Sequence, residues 1–233
     1  HCGRPFCSAS VSASCTRACF LAFSRSAITS PGRTCAAGLL HAWPLTRTGH
    51  GTCVGRPLPG MTVRVLEPVD GPIETWDRVR ELAVGEIGEI TVRGPVVTRA
   101  YDGNERENLL AKIADNDGFW HRMGDMGYLD DAGRLWFCGR KAHRVGTANG
   151  VLYTVPCEAI FNEHPQVRRA ALVGLGPWGR QTPVVIVEPV GPVGGEEALF
   201  AELRELALAN PLTARIERFL VHRSFPVDIR HNA

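Results

Sequence analysis

The sequence predicts an α+β protein: a β-rich subdomain over residues 51 to 138, then a small α+β unit over 139 to 233. Short apolar alternations broken by glycine and proline recur from Gly51 to Cys138, the pattern of half-buried strands. Beyond Gly139 helical spacings alternate with β-branched runs, which predicts helices packed on one small sheet. Residues 1 to 50 show neither pattern. They hold Cys2, Cys7, Cys15, Cys19 and Cys35 among many Ser, Ala and Arg, with no acidic residue before Glu67, and an irregular or out-of-register leader is expected.

Taken in order, Val54 to Val65 reads as a Pro/Gly turn feeding a strand with Val63 and Val65 on one face. Ile87, Ile90 and Val92 carry the next strand, which Gly94-Pro95 ends. Asn104 to Ala114 reads as a short helix through Leu109, Leu110 and Ile113. Two apolar runs, Met126 to Leu129 and Leu135 to Phe137, flank the turn Asp130-Asp131-Ala132-Gly133, which predicts a hairpin. In the second unit Pro156 suits the first turn of a helix that continues through Glu158 to Glu163 and stops at His164-Pro165. Ala170 to Val173 and Val184 to Val187 read as buried strands. Glu196 to Ala209 is the clearest helix, with Leu199, Leu203 and Leu206 on one face and Asn210-Pro211 after it. Phe219 to Val221 is a last strand, so the order is helix, strand, strand, helix, strand.

Composition excludes several function classes. A formal charge of +2 gives no basic stripe of the kind nucleic-acid binders show. No apolar run reaches bilayer length, and a cytoplasmic location is the default expectation. The first residue is His rather than Met, so the true start is expected to lie upstream. The leader's cysteines lack paired C-x2-C spacing, and no metal site is assigned; a zinc module and a transit peptide are the weaker alternatives. Lys112 and Lys141 are the only lysines, as a GC-rich gene would give.

The candidate site is the run Gly118 to Arg140. Asp125 lies between Gly124 and Gly127, which let a backbone approach a ligand closely, and a carboxylate there accepts two hydrogen bonds, as the paired hydroxyls of a ribose would supply. The hairpin brings Arg140 to the same element. The plainer reading is a turn-capping Asp125 and an Arg140 paired with a surface acid.

Three blocks then bear a resemblance. Gly85 to Pro95 (GEIGEITVRGP) with Arg99-Ala100-Tyr101 is similar to a strand-loop of the AMP-forming adenylating superfamily, which includes acyl-CoA ligases, luciferases and peptide-synthetase adenylation domains. Met123-Gly124-Asp125 resembles its T-G-D motif with Met for Thr. Gly139-Arg140, Glu158 and His164-Pro165 with Val167 resemble its hinge and lid entry. The likeness covers roughly Gly51 to Ala233, the late part of such enzymes. Within the superfamily, Trp136 to Val145, Leu152 to Thr154 and Phe225 to Ala233 look most like the ATP-dependent β-lactone synthetase of bacterial olefin biosynthesis.

The resemblance implies an end-of-body β-rich subdomain and a C-terminal lid, with ATP and Mg²⁺ as cofactors of the intact enzyme. It implies that Asp125 and Arg140 hold the ribose of ATP, that Lys141 and Ala142 form the hinge, and that a fatty acid or β-hydroxy fatty acid is activated as its adenylate. Closure by the substrate's own hydroxyl gives a β-lactone; a coenzyme A thioester is the alternative product, and a stand-alone binding module the non-enzymatic alternative. Other enzymes of the olefin pathway are the partners it suggests. His143 is a lesser catalytic candidate, since a histidine titrates near neutrality but in a basic loop is ordinarily solvent-facing. Glu158 is expected to support the start of its helix. Ala142 stands where Asp or Lys is usual and Asn149 where glycine is usual, which puts lid movement in question. Cys138 and Cys157 are expected to be apolar packing residues. The superfamily's Y-G-x-T-E motif and Gly/Ser/Thr-rich phosphate loop are not found, and its lid lysine would fall just beyond Ala233, so the chain by itself is expected to be inactive.

Overall fold

The structure, a computed structural model, describes residues 42–192 and 194–226. Cys2, Cys7, Cys15, Cys19 and Cys35 lie outside the described residues, as do 227–233 of the run that begins at Phe225, so the leader's metal alternative is not addressed. Among the described residues no helix is long and apolar enough to cross a membrane.

The first half forms one antiparallel sheet. Its strands are β1 (Thr52–Gly55), β2 (Thr62–Leu66), β3 (Gly88–Arg93), β4 (Lys112–Asp115), β5 (Gly118–Leu129) and β6 (Leu135–Arg140), in the spatial order β1-β6-β5-β3-β2, with β4 added along β5. Alternation decides the faces of β2: Val63 and Val65 are buried, while Arg64 extends outward over the stacked rings of Trp76 and Trp120. Val63, Ile90, Val92 and Leu135 make one core; Leu66, Ile73, Ile113 and Trp120 make a second beneath the Trp pair.

The expected helix over Asn104 to Ala114 is shorter. Helix α1 (Glu105–Ala111) starts at Asn104, whose Oδ1 accepts the Glu107 amide at 3.2 Å. Lys112 then extends into β4, and Ile113, which fits a helical spacing with Leu109 and Leu110, is instead fully buried opposite Trp120. A strand gained a paired neighbour and a core position; a further helical turn offered neither.

The second half holds a small hairpin, β7 (Val145–Thr147) and β8 (Gly150–Leu152), absent from the predicted elements, then the predicted order: α2 (Thr154–Phe161), β9 (Val167–Leu175), β10 (Thr182–Pro189), α3 (Glu196–Leu208) and β11 (Arg218–Val221). β9 and β10 are antiparallel, and α3 carries the chain over to place β11 parallel to β10. Phe161, Leu172, Val185, Leu199, Leu203 and Phe219 close this second core.

Residues 42–50, expected to be irregular, are helical in the structure, with Gly49 at φ 92. Gly49 lies against Ile160 and Leu212, where a Cβ would come within 2.7 Å of the Leu212 side chain. Arg47 pairs with Glu163, and the Tyr128 hydroxyl donates to the His50 carbonyl at 3.0 Å. The segment therefore touches both halves, and its order comes from tertiary contacts rather than from any periodicity of its own.

Candidate functional site

The hairpin of β5 and β6 carries the predicted pair, and two irregularities aim it. Opposite Glu89 to Thr91 of β3, strand β5 spends extra residues between Met126 and Arg122, and Gly124 sits there at φ 66. On β6 an extra residue falls between Phe137 and Gly139, with Gly139 at φ 116. Such bulges twist a strand and re-aim the side chains beside them. Just past both, Asp125 and Arg140 are direct cross-strand partners, and the guanidinium lies 3.0 Å from the carboxylate. The Asp125 side chain is 8% exposed and that of Arg140 26%.

The structure thus brings Asp125 and Arg140 together. It does not open Asp125 onto the neighbouring cleft: a cavity of about 610 Å³ is lined by Met123 and Gly124 but not by Asp125. The pair suits a ribose in chemistry, because a carboxylate accepts and a guanidinium donates hydrogen bonds of the kind paired hydroxyls make. Space beside Gly124 is open, since a Cβ there would meet nothing within 4 Å. Among the described residues no three His, Cys, Asp or Glu side chains converge, so they supply no protein cage for Mg²⁺.

The cleft holds residues that the sequence reading passed over. Glu89 of β3 is buried, and its Oε2 accepts from Arg122 at 2.7 Å and from Lys141 at 3.0 Å. Arg122 also donates to the carbonyls of Gly71 at 2.7 Å, Leu110 at 3.1 Å and Val69. Lys141 shares the Val69 carbonyl. Burial pushes the Lys141 pKa down, with Arg122 acting in the same direction and Glu89 opposing. Across the opening Arg144 reaches Asp70 at 3.2 Å and lies 5.0 Å from the ring of Trp178. The local signal for Glu89 and Arg122 was a charge inside a strand otherwise made to be buried.

The remaining predicted positions fall as follows. Lys141 and Ala142 lie on a single 3-10 turn, Lys141–His143, directly after β6, and both line the cleft. His143 ends that turn, exposed, and does not line it. Glu158 does not serve the start of its helix. It is the fifth residue of α2, and its Oε1 accepts the Leu172 amide of β9 at 2.9 Å, with burial raising its pKa. Cys138 and Cys157 are buried free thiols pushed up to about 12 by desolvation, which agrees with a packing role. Asn149, expected to mark a departure in the lid loop, sits at the turn of β7 and β8, where its carbonyl accepts from Arg215 at 2.6 Å.

An antiparallel sheet carrying the Asp-Arg pair on one hairpin, then a short charged turn and a two-helix, three-stranded unit, is the arrangement of the C-terminal part of AMP-forming adenylating enzymes, and the chain is similar to members of that superfamily. No protein-family model matches it. Its similarity within the superfamily is to the olefin beta-lactone synthetase of Xanthomonas campestris pv. campestris, 53% identical over 197 residues, 81% of this chain and 35% of that protein. The olefin beta-lactone synthetase of Stenotrophomonas maltophilia is 48% identical over 193 residues, again 81% and 35%. The chain thus spans about a third of the length of these relatives. Among solved structures, the amide bond synthetase McbA from Marinactinospora thermotolerans has a TM-score of 0.61 at 26% identity, over 75% of this chain and 33% of that one. The O-succinylbenzoate coenzyme A synthetase of Bacillus subtilis with AMP, at 24% identity and TM-score 0.61 over 78% and 34%, shows the same fold.

Proposed function

We propose that this chain supplies the ribose-holding hairpin and the lid of an ATP-dependent, AMP-forming enzyme that activates a β-hydroxy fatty acid and closes it to a β-lactone. The observation that carries the reading is the 53% identity to an olefin beta-lactone synthetase across 81% of the chain, including the Asp125–Arg140 hairpin. Asp125 would accept the ribose hydroxyls, and Arg140 would hold the carboxylate in place while donating to the sugar. Lys141 and Ala142 would form the hinge. ATP, when bound, supplies the phosphoryl chemistry that turns a carboxylate into a mixed anhydride. The described residues orient the sugar and border the site.

A coenzyme A ligase is the second reading, favoured by 37% identity over 119 residues to the 2-succinylbenzoate–CoA ligase of Bacillus licheniformis. One experiment separates them. Protein expressed from the whole gene is incubated with ATP, Mg²⁺ and a β-hydroxy fatty acid, with and without coenzyme A, and the product is identified by mass spectrometry. A lactone formed without coenzyme A supports the first reading, and a thioester that requires it supports the second. In the same protein Asp125→Asn should weaken ATP binding about tenfold to a hundredfold, since a charge-assisted hydrogen bond contributes roughly 1.5–3 kcal/mol. Unchanged affinity removes Asp125 from the nucleotide site.

A further inference from the structure

Glu89 stands where both strands of the Asp125–Arg140 hairpin are held. In the pairing of β3 with β5, Glu89 lies opposite Met126 and Thr91 opposite Arg122, so Ile90 alone faces Met123, Gly124 and Asp125. The bulge that carries Asp125 is therefore a small loop with two feet, Arg122 and Met126. Glu89 meets both. It is the register partner of Met126, and its Oε2 accepts from Arg122 Nη2 at 2.7 Å and Nε at 3.2 Å. The crown of the bulge is open at Gly124, where a Cβ would meet nothing within 4 Å, so packing at that residue does not set its shape.

The same oxygen reaches the other strand. Lys141 Nζ donates to Oε2 at 3.0 Å, and Lys141 directly follows Arg140, the cross-strand partner of Asp125. The bonds of Glu89 thus go to the neighbours of the pair, the foot before Asp125 and the residue after Arg140. The Glu89 and Arg122 side chains are each 4% exposed, so water competes little for the contact between them.

We propose that Glu89 is a positioning residue for the ribose pair: its one carboxylate fixes the Asp125 bulge through Arg122 and the place of Arg140 through Lys141, and so sets the spacing at which the two side chains meet a sugar. The proposal rests on the ribose reading of Asp125 and Arg140 given above. A glutamine at 89 keeps the shape but loses the charge that draws both cations to one oxygen, and its amide brings two donors among theirs. An aspartate keeps the charge but draws it back by one C–C bond, about 1.5 Å, too far to hold contacts of 2.7 and 3.0 Å to both cations.

Two measurements test it. The intact enzyme, expressed from the whole gene, is assayed with ATP and with 2′,3′-dideoxy-ATP, which lacks both ribose hydroxyls; this chain is followed by hydrogen exchange and mass spectrometry without nucleotide. In Glu89→Gln and Glu89→Asp, KM for ATP should rise about tenfold, the share of one misplaced charge-assisted bond, while kcat and KM for the dideoxy nucleotide stay within about twofold. Exchange should accelerate about fivefold over 122–126 and 139–141 and stay unchanged over 184–187 in the second sheet. Glu89→Asp separates positioning from neutralisation, because it leaves Arg122 and Lys141 a counter-charge; it also carries both measurements if Glu89→Gln does not fold. The positioning role is overturned if Glu89→Asp keeps the preference for ATP, if both nucleotides weaken alike, or if 122–126 and 139–141 exchange no faster than before. Asp125→Asn is the control for the reading beneath. If it leaves the preference for ATP intact, the ribose reading itself fails, and exchange alone decides whether Glu89 sets the hairpin. If it abolishes a preference that Glu89→Asp retains, the ribose reading stands and the positioning role falls.

Discussion

Glu89→Gln isolates the charge at the centre of the cleft. The change keeps the side chain's size, so it opens no cavity, but it removes the carboxylate that Arg122 and Lys141 share. Arg122 keeps its bonds to the Gly71 and Leu110 carbonyls yet loses its counter-charge where its side chain is 4% exposed. Removing one partner of such a buried pair costs about 3–5 kcal/mol. Lys141 escapes by shedding its proton, which its lowered pKa eases, so the loss should shrink as pH rises. With a urea slope of about 2 kcal/mol per molar, the unfolding midpoint should fall by about 2 M at neutral pH. Adding Lys141→Met to Glu89→Gln removes one of the two stranded cations and should recover part of that shift. A midpoint change below about 0.5 M, or no recovery in the double variant, would refute the view that Glu89 neutralises both groups.

Three further outcomes follow from the same contacts. Glu158 has a pKa raised above 4.5 by burial, so the stability it contributes is present below that ordinary value and is lost as pH rises through the raised folded value; urea midpoints of Glu158→Gln should lack this fall. Lys141 has the opposite linkage: its folded pKa is lowered from 10.5, so the unfolded chain holds the extra proton and stability from this group climbs as pH rises through the window below 10.5, a climb absent in Lys141→Met. Gly139→Ala would set a Cβ 2.3 Å from Thr154 Oγ1 at φ 116, and should cost about 2–4 kcal/mol by urea unfolding. Thr154→Ala added to it should recover only the contact's share and leave the backbone strain.

Periodicity showed the elements that bury a face by themselves. Val63 and Val65, Ile90 and Val92, and the Leu199 and Leu203 stripe each declare one side, and each is buried on it. Ile113 shows where pattern fails: one apolar residue satisfies a helix through Leu109 and Leu110 and a strand opposite Trp120, and only the partner strand decides. Val145–Thr147 and Gly150–Leu152 are three residues each, too short for any period to register. Asp125 and Arg140 were legible because one hairpin carries both. The Glu89 network was not, because its bonds join residues 33 and 52 positions apart, and Asp70, Arg144 and Trp178 are brought together only when the two sheets meet.

The choice of lysine at position 141 is itself informative in a chain where only Lys112 and Lys141 depart from arginine. The slot beside Glu89 offers two acceptors, the Glu89 carboxylate and the Val69 carbonyl, and Arg122 already draws on both. A second guanidinium would bring five donors to that slot and leave several buried without partners. An ammonium presents a compact charge that two acceptors go far to satisfy, and burial lowers its pKa while Glu89 opposes that shift. Arginine one residue earlier meets the reverse demand. Arg140 lies at the strand end, 26% exposed, where its guanidinium pairs with Asp125 within reach of water. Adjacent residues at one strand end thus use the two basic side chains differently, the ammonium in a narrow buried slot beside Glu89 and the guanidinium in a pair with Asp125 nearer the solvent.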